Sequence, residues 1–305
     1  MNKVTKVLLI SAGGCLAAGL LISGIAIAFG ASPVHRTTEE DYEPVTYEAS
    51  GEVSSIVINE GSFDIKLVPY DGDKVKIDTY DTESYEHSFN LDNGTLTVKV
   101  NSNKKWYQMI NIGIYMGSED KELTTVYIPE GEYEDLDLEV GSGDISVETD
   151  SSFEDAVLNS GSGDISIDNS LTGNLDINVG SGDAYVSNMD CSSVRVDCGS
   201  GNSTISNVSV AGTLYAHSGS GDIHLTDTSA GSLTLEVGSG DIDFTNLEVS
   251  SADIDIGSGD VTGSVIGDYD FDADCGSGDI TINHDDISSG NPFKVDTGSG
   301  DVTIN

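Results

Sequence analysis

The tetrapeptide Gly-Ser-Gly-Asp recurs nine times in this chain, starting at Gly141, Gly161, Gly180, Gly199, Gly219, Gly238, Gly257, Gly276 and Gly298, with Asn202 replacing the Asp of the fourth copy. Successive first glycines are 20, 19, 19, 20, 19, 19, 19 and 22 residues apart. A period this constant predicts stacked coils, each unable to bury its apolar face without a neighbour. Aligned on the first Gly, one apolar column runs from Leu136 through Leu175, Leu214 and Leu233 to Phe271 and Phe293. A second, two residues on, runs from Leu138 through Ile177 and Ile254 to Ala273 and Val295. After the turn, Ile145, Ile165, Ile223, Ile280 and Val302 form a third, and Val147, Ile167, Phe244, Ile282 and Ile304 a fourth. Polar residues alternate with all of them. The expected fold is therefore all-β, a single-stranded β-solenoid (β-helix) of 19–20-residue coils with two inward-facing strands per coil.

The paired glycines are structural turn residues: Gly141 and Gly143, Gly161 and Gly163, Gly180 and Gly182, Gly199 and Gly201, Gly219 and Gly221, Gly238 and Gly240, Gly257 and Gly259, Gly276 and Gly278, Gly298 and Gly300. A corner between inward-facing strands calls for φ > 0, and identical corners must stack closely.

Four regions follow in chain order. Residues 1–31 hold Lys3 and Lys6 and then an uncharged run from Val7 to Ala31, long enough to cross a bilayer of about 30 Å. The favoured reading is an N-terminal transmembrane helix with a cytoplasmic N-terminus. A cleaved signal peptide ending near Ala26-Ile27-Ala28 is the alternative. Residues 32–44 are an acidic linker between Pro33 and Pro44. Residues 45–135 are degenerate β coils forming an N-terminal cap: Ser55–Leu67 repeats the later spacing around Gly61-Ser62-Phe63-Asp64, and Asn93-Gly94 signals a hairpin turn. Trp106, Tyr107 and Tyr115 are read as cap core, with a sugar-stacking platform as the other use. Residues 136–305 are the repeat solenoid proper.

A net charge of −41, with only Arg195 and Lys294 basic after Leu136, excludes nucleic acid as a partner. Cys15, Cys191, Cys198 and Cys275 show neither disulfide nor metal spacing and are expected as free thiols. The histidines complete no metal set or catalytic triad, so the chain is read as a non-enzyme. One column invites a cofactor: Asp144, Asp164, Asp183, Asp222, Asp241, Asp260, Asp279 and Asp301, which would stand as a ladder of carboxylates. Calcium (Ca2+) bridging that ladder is one reading. In the other, each Asp accepts hydrogen bonds from the amides of its own turn. Two further outward columns, an acidic one from Glu139 to Asp296 and a hydroxyl-rich one from Ser146 to Thr303, read as solvated faces, the second also as a surface for a glycan or protein ligand. The chain ends inside a strand, Val302-Thr303-Ile304-Asn305, so self-association through the edge of the C-terminal coil is expected, the alternative being that the long last repeat, Ile287 to Phe293 with Pro292, folds over that edge.

The anchor, the degenerate β region ending in Val126-Tyr127-Ile128-Pro129 and the Gly-Ser-Gly-Asp repeats together resemble the bacterial putative-adhesin family (domain of unknown function 4097) over about residues 50–305. The resemblance implies a β-helix-like fold outside a bacterial, Gram-positive cell, and no catalytic residue. The function expected is a membrane-anchored cell-surface adhesin-like binding module, single-pass, with the C-terminal domain extracellular. The alternative is an envelope-stress sensor whose ectodomain reports on wall or membrane state.

Overall fold

The computed structural model describes residues 42–102, 123–285 and 287–305. The expected anchor at 1–31, most of the linker, Cys15, His35, Trp106, Tyr107 and Tyr115 lie outside the described residues, among which no helix is long and apolar enough to cross a membrane. Two compact units are formed. The larger comprises Pro44–Tyr80, His87–Val100 and Glu122–Asn305; the other takes in Asp81–Glu86, a tight turn closed by reciprocal backbone hydrogen bonds between Thr82 and Tyr85.

The larger unit is the expected solenoid. Parallel strands pair in register from coil to coil: Leu136 opposite Ala156, Ala156 opposite Leu175, Leu175 opposite Val194, and onward through Leu214 and Leu233 to Ala252. Along both predicted columns before the turn, side chains from Leu136 to Ile254 are buried. Phe244 is too large for one coil, and Gly263 in the next coil makes room for it: a Cβ there would lie 2.1 Å from the ring. Phe244, Phe293, Tyr269 and Phe271 continue as an aromatic series with centroids 5.4–5.9 Å apart.

Three features depart from the sequence expectation. First, the middle coils have a third inward run. Asn188, Asn207, Asp227 and Asn246 adopt φ of 48–56°, turning the chain so that the buried positions shift from every second residue to a gap of three, as from Ile205 to Val208. Asn and Asp tolerate this left-handed conformation best among residues with a Cβ. Their side chains also bond from coil to coil, Asn207 to Asn188 at 2.8 Å and Asn246 to Asp227 at 2.7 Å.

Second, the coils do not stack in chain order at the C-terminal end. The Gly298 coil lies between the Gly257 and Gly276 coils, with Phe293 opposite both Ala252 and Phe271, and Val302 opposite both Val261 and Ile280. The last strand in sequence is therefore interior, and the expected open edge at Val302–Ile304 is corrected to the Gly276 coil. Ile280 and Ile282, expected inside, are 41% exposed and half-buried respectively, because their coil has a neighbour on one side only. Ile266-Gly267-Asp268 steps over the gap, and the longer spacing before Gly298 supplies the chain that returns to fill it.

Third, the same leapfrog occurs at the other end. Ser55–Glu60 and Asp64–Tyr70, the Gly61 coil, pack directly on the Gly141 coil, whereas the later strands Thr95–Ser102 and Leu123–Pro129 lie outside them. Lys76–Asp81 then pairs antiparallel with Leu123–Pro129, breaking the parallel register that would let coils keep adding. Asn93 and Gly94, at φ 50° and 85°, form the expected turn between Tyr85–Asp92 and Thr95–Ser102.

Candidate functional site: the glycine corner and its flanks

The stacked corners leave no space for side chains. A Cβ on Gly163 would lie 2.0 Å from the carbonyl oxygen of Gly143, and one on Gly161 2.4 Å from that of Gly141. Close approach of one backbone to the next is thus the common reason for both glycines.

The Asp column is a directional hydrogen-bonded ladder. Oδ1 of Asp64 accepts from the amide of Asp144, Asp144 from Asp164, Asp164 from Asp183, and Asp183 from Asn202. It continues through Asp222, Asp241, Asp260 and Asp301 to Asp279, every bond between 2.7 and 2.8 Å. The partner is the next coil's turn, which corrects the own-turn reading. At Asn202 the backbone N–H donates to Asp183 and the neutral side-chain Oδ1 accepts from the amide of Asp222, so the rung needs an acceptor rather than a charge. A bond from N–H to carboxylate contributes about 1.5 kcal/mol, more than the roughly 0.9 kcal/mol repulsion between neighbouring carboxylates about 4.8 Å apart in water. The hydrogen bonds thus offset the repulsion along the column. Calcium takes six to eight oxygens at about 2.3–2.6 Å, whereas the column offers one remaining oxygen per coil. Among the described residues no group of three or more His, Cys, Asp or Glu side chains is placed to hold a metal.

This geometry makes a prediction. Asp222→Asn should leave the thermal midpoint within about one degree, while Asp222→Ala should cost about 1–2 kcal/mol. Melting the full chain in EDTA, calcium and magnesium checks the alternative. Equal midpoints are expected, and a calcium-specific rise absent from a variant with Asp222, Asp241 and Asp260 all changed to Asn would make the free Oδ2 atoms a metal site.

Burial shifts Asp64 and Asp137 upward. For Asp64 the burial effect outweighs the amide of Asp144, and for Asp137 the neighbouring Glu139 and Asp135 add to it. A raised folded-state pKa means that ionising these groups opposes folding, a cost that disappears as pH falls through the carboxylate range.

On the other flank of the corner, the glycine backbone floors an open gutter. Its wall is a column running Glu139, Asn159, Asn178, Asp197, His217, Glu236 and Asp255 in register. Two depressions lie along it. One, of ≈ 520 Å³, spans the Gly141 to Gly199 coils, and the other, of ≈ 260 Å³, lies among His217, Glu236, Val237, Gly238 and Asp255. Asn178 is held by Asn159 at 3.1 Å and Asp176 at 3.0 Å; His217 lies 3.0 Å from Asp197. Arg195 bonds Asp197 at 2.8 Å and covers the ring of Tyr215 at 4.4 Å. His224, in the same coil as His217, lies beyond the corner beside Asp243, so the two do not converge. The hydroxyl column is also in register, with Tyr185, Thr204 and His224 stacked in turn. Cys191 and Cys198 are buried free thiols; burial, with Asp190 adding, pushes Cys191 up to about 11.

Sequence reasoning missed a buried polar cluster in the cap. The Glu60 and His87 side chains are fully buried, with Nε2 of His87 3.2 Å from the carboxylate. Thr124 donates to Glu60 at 2.8 Å, and Thr79 lies 2.8 Å from Thr124. Only the break in alternation at Glu60, a charged residue at an inward position, signals it in the sequence.

Stacked, glycine-cornered coils with an in-register polar surface define a β-solenoid repeat protein. The chain belongs to the Toastrack DUF4097 family, whose sequence profile matches residues 53–219 and 210–305. Similar solved structures include a "putative cell adhesion protein" from Clostridium sporogenes, 13% identical, covering 87% of this chain and 99% of that one at a TM-score of 0.27. A "putative adhesin" from Bacteroides fragilis is 14% identical, covering 86% and 97% at 0.41. A "putative lipid binding protein" from Parabacteroides distasonis is 14% identical, covering 87% and 98% at 0.30. No protein with a curated description matches the chain.

Proposed function

We propose that this chain is a non-catalytic, adhesin-like binding module that holds an extended ligand along the gutter beside the glycine corner. The supporting observation is the gutter's repetition: each coil offers the same bare backbone and, beside it, one Asn, Asp, Glu or His. An extended glycan or peptide can make one similar contact per coil, whereas catalysis needs acid, base and nucleophile converging in an enclosed pocket. In this proposal the apolar run from Val7 to Ala31 anchors the module in the membrane of a Gram-positive cell, with the solenoid outside.

The test is binding of the full-length protein to immobilised glycans and cell-wall polymers. Saturable binding is expected that lengthens its residence with polymer length and weakens about three- to tenfold in Asn178→Ala, the loss of one hydrogen-bonding group. Binding to no extended polymer, or binding indifferent to Asn178, would overturn the reading.

A further inference from the structure

The two ends of the solenoid are finished differently. At the N-terminal end an antiparallel strand, Lys76–Asp81, covers Leu123–Pro129. At the C-terminal end, Tyr269–Cys275 and Ile280–Ile282 pair inward with Asn291–Thr297 and Val302–Ile304, and among the described residues no strand pairs with their outer side. The returning segment roofs only the beginning of this coil. The Ile287 amide donates to the carbonyl of Tyr269 at 2.8 Å, and the His284 ring meets Tyr269 edge-on at 6.2 Å. Past that roof, Ala273, Cys275, Ile280 and Ile282 continue the core columns into solvent. Ile280 is 41% exposed, while Val302 directly beneath it is 0% exposed.

We propose that this edge takes one extended strand from another protein, a segment alternating apolar with basic residues. The pattern is read from the strand that already occupies the neighbouring level. In Asn291–Thr297, Phe293 and Val295 point inward, and Lys294 stands outward between Asp253 and Asp272 in the register, 3.6 Å from Asp253 and bonded to Asp296. On the open side the outward positions Asp272 and Asp274 are exposed. An incoming strand along Tyr269–Cys275 would set apolar side chains over Ala273 and Cys275 and basic ones over these carboxylates, the geometry of β-strand addition to a sheet edge. A second copy of this chain fits badly. Two such edges meeting across a two-fold axis would oppose Asp272 to Asp272 and Asp270 to Asp274, and like charges directly opposed destabilise a strand pair.

The experiment uses the full-length protein and two synthetic peptides of equal composition, one alternating lysine with valine and the other with its lysines and valines in separate blocks, in about 0.15 M salt, where general attraction to an acidic surface is screened. The alternating peptide is expected to bind at least tenfold more tightly than the blocked one and to slow alkylation of the half-exposed Cys275, read by mass spectrometry. Asp272→Lys should weaken it about fivefold, and Asp190→Lys, an equal charge change far from the edge, should not. Equal binding of both peptides, unprotected Cys275, or equal effects of the two substitutions would overturn the proposal. So would protection of Cys275 that rises with protein concentration alone, which would assign the edge to a second copy.

Discussion

Gly259→Ala is expected to destabilise the solenoid by about 3–5 kcal/mol, the sum of an overpacked contact and a strained backbone conformation. Its Cβ would lie 1.8 Å from the carbonyl oxygen of Gly240 and 2.7 Å from the carbonyl carbon, both backbone atoms that no rotamer change can move. At φ 144° the residue also occupies a region that a side chain disfavours. Both neighbours of this coil are coils, so relief on one side would disturb the ladder on the other, where Asp260 bonds Asp241 and Asp301. Urea unfolding of the full chain measures the effect, with the exposed Ser258→Ala as the comparison expected to stay within about 0.5 kcal/mol. If Gly259→Ala unfolded at the same urea concentration as Ser258→Ala, close stacking would not be the reason for the glycine.

His87→Ala is expected to cost about 3–5 kcal/mol for a different reason, the stranding of a buried carboxylate. Glu60 would keep the Thr124 hydroxyl at 2.8 Å but lose the imidazole, and the cavity would also remove the ring that packs 5.7 Å from Phe63. Adding Glu60→Gln to His87→Ala should recover part of the loss, because a neutral amide left in that space carries no uncompensated charge. The comparison of both single variants and the double variant by urea unfolding isolates the coupling. Independent, additive effects would show that the two side chains do not act as a pair. The cluster joins Glu60 at the end of the first coil strand to Thr79, His87 and Thr124 of the cap, so its loss should loosen the cap before the repeats.

Much of this molecule was legible one residue at a time. The period, the inward columns from Leu136 to Ile254 and the Gly corners follow from chemistry that every coil repeats, and the Asn93-Gly94 turn follows from its own local signal. Repetition makes such signals strong, because nine copies of one environment constrain the same positions nine times. The third side of the coil was present too, as Asn or Asp eight residues after the first Gly at 188, 207, 227 and 246, but its residue types also suit an ordinary exposed turn.

What the sequence by itself determined is the shape of one coil and the fact that coils stack. Which coil lies beside which was decided only by the tertiary structure. Phe271 and Phe293, or Ile280 and Val302, occupy equivalent places in their coils, so either pattern fits either level of the stack, and periodicity cannot distinguish neighbours. The choice was made by nonlocal terms: the Gly298 coil gains burial on both sides by entering between two others, and the Gly61 coil does the same against Gly141. The direction of the Asp ladder and the Glu60–His87 contact are likewise tertiary, since each joins atoms brought together by stacking across 19 to 80 residues of chain.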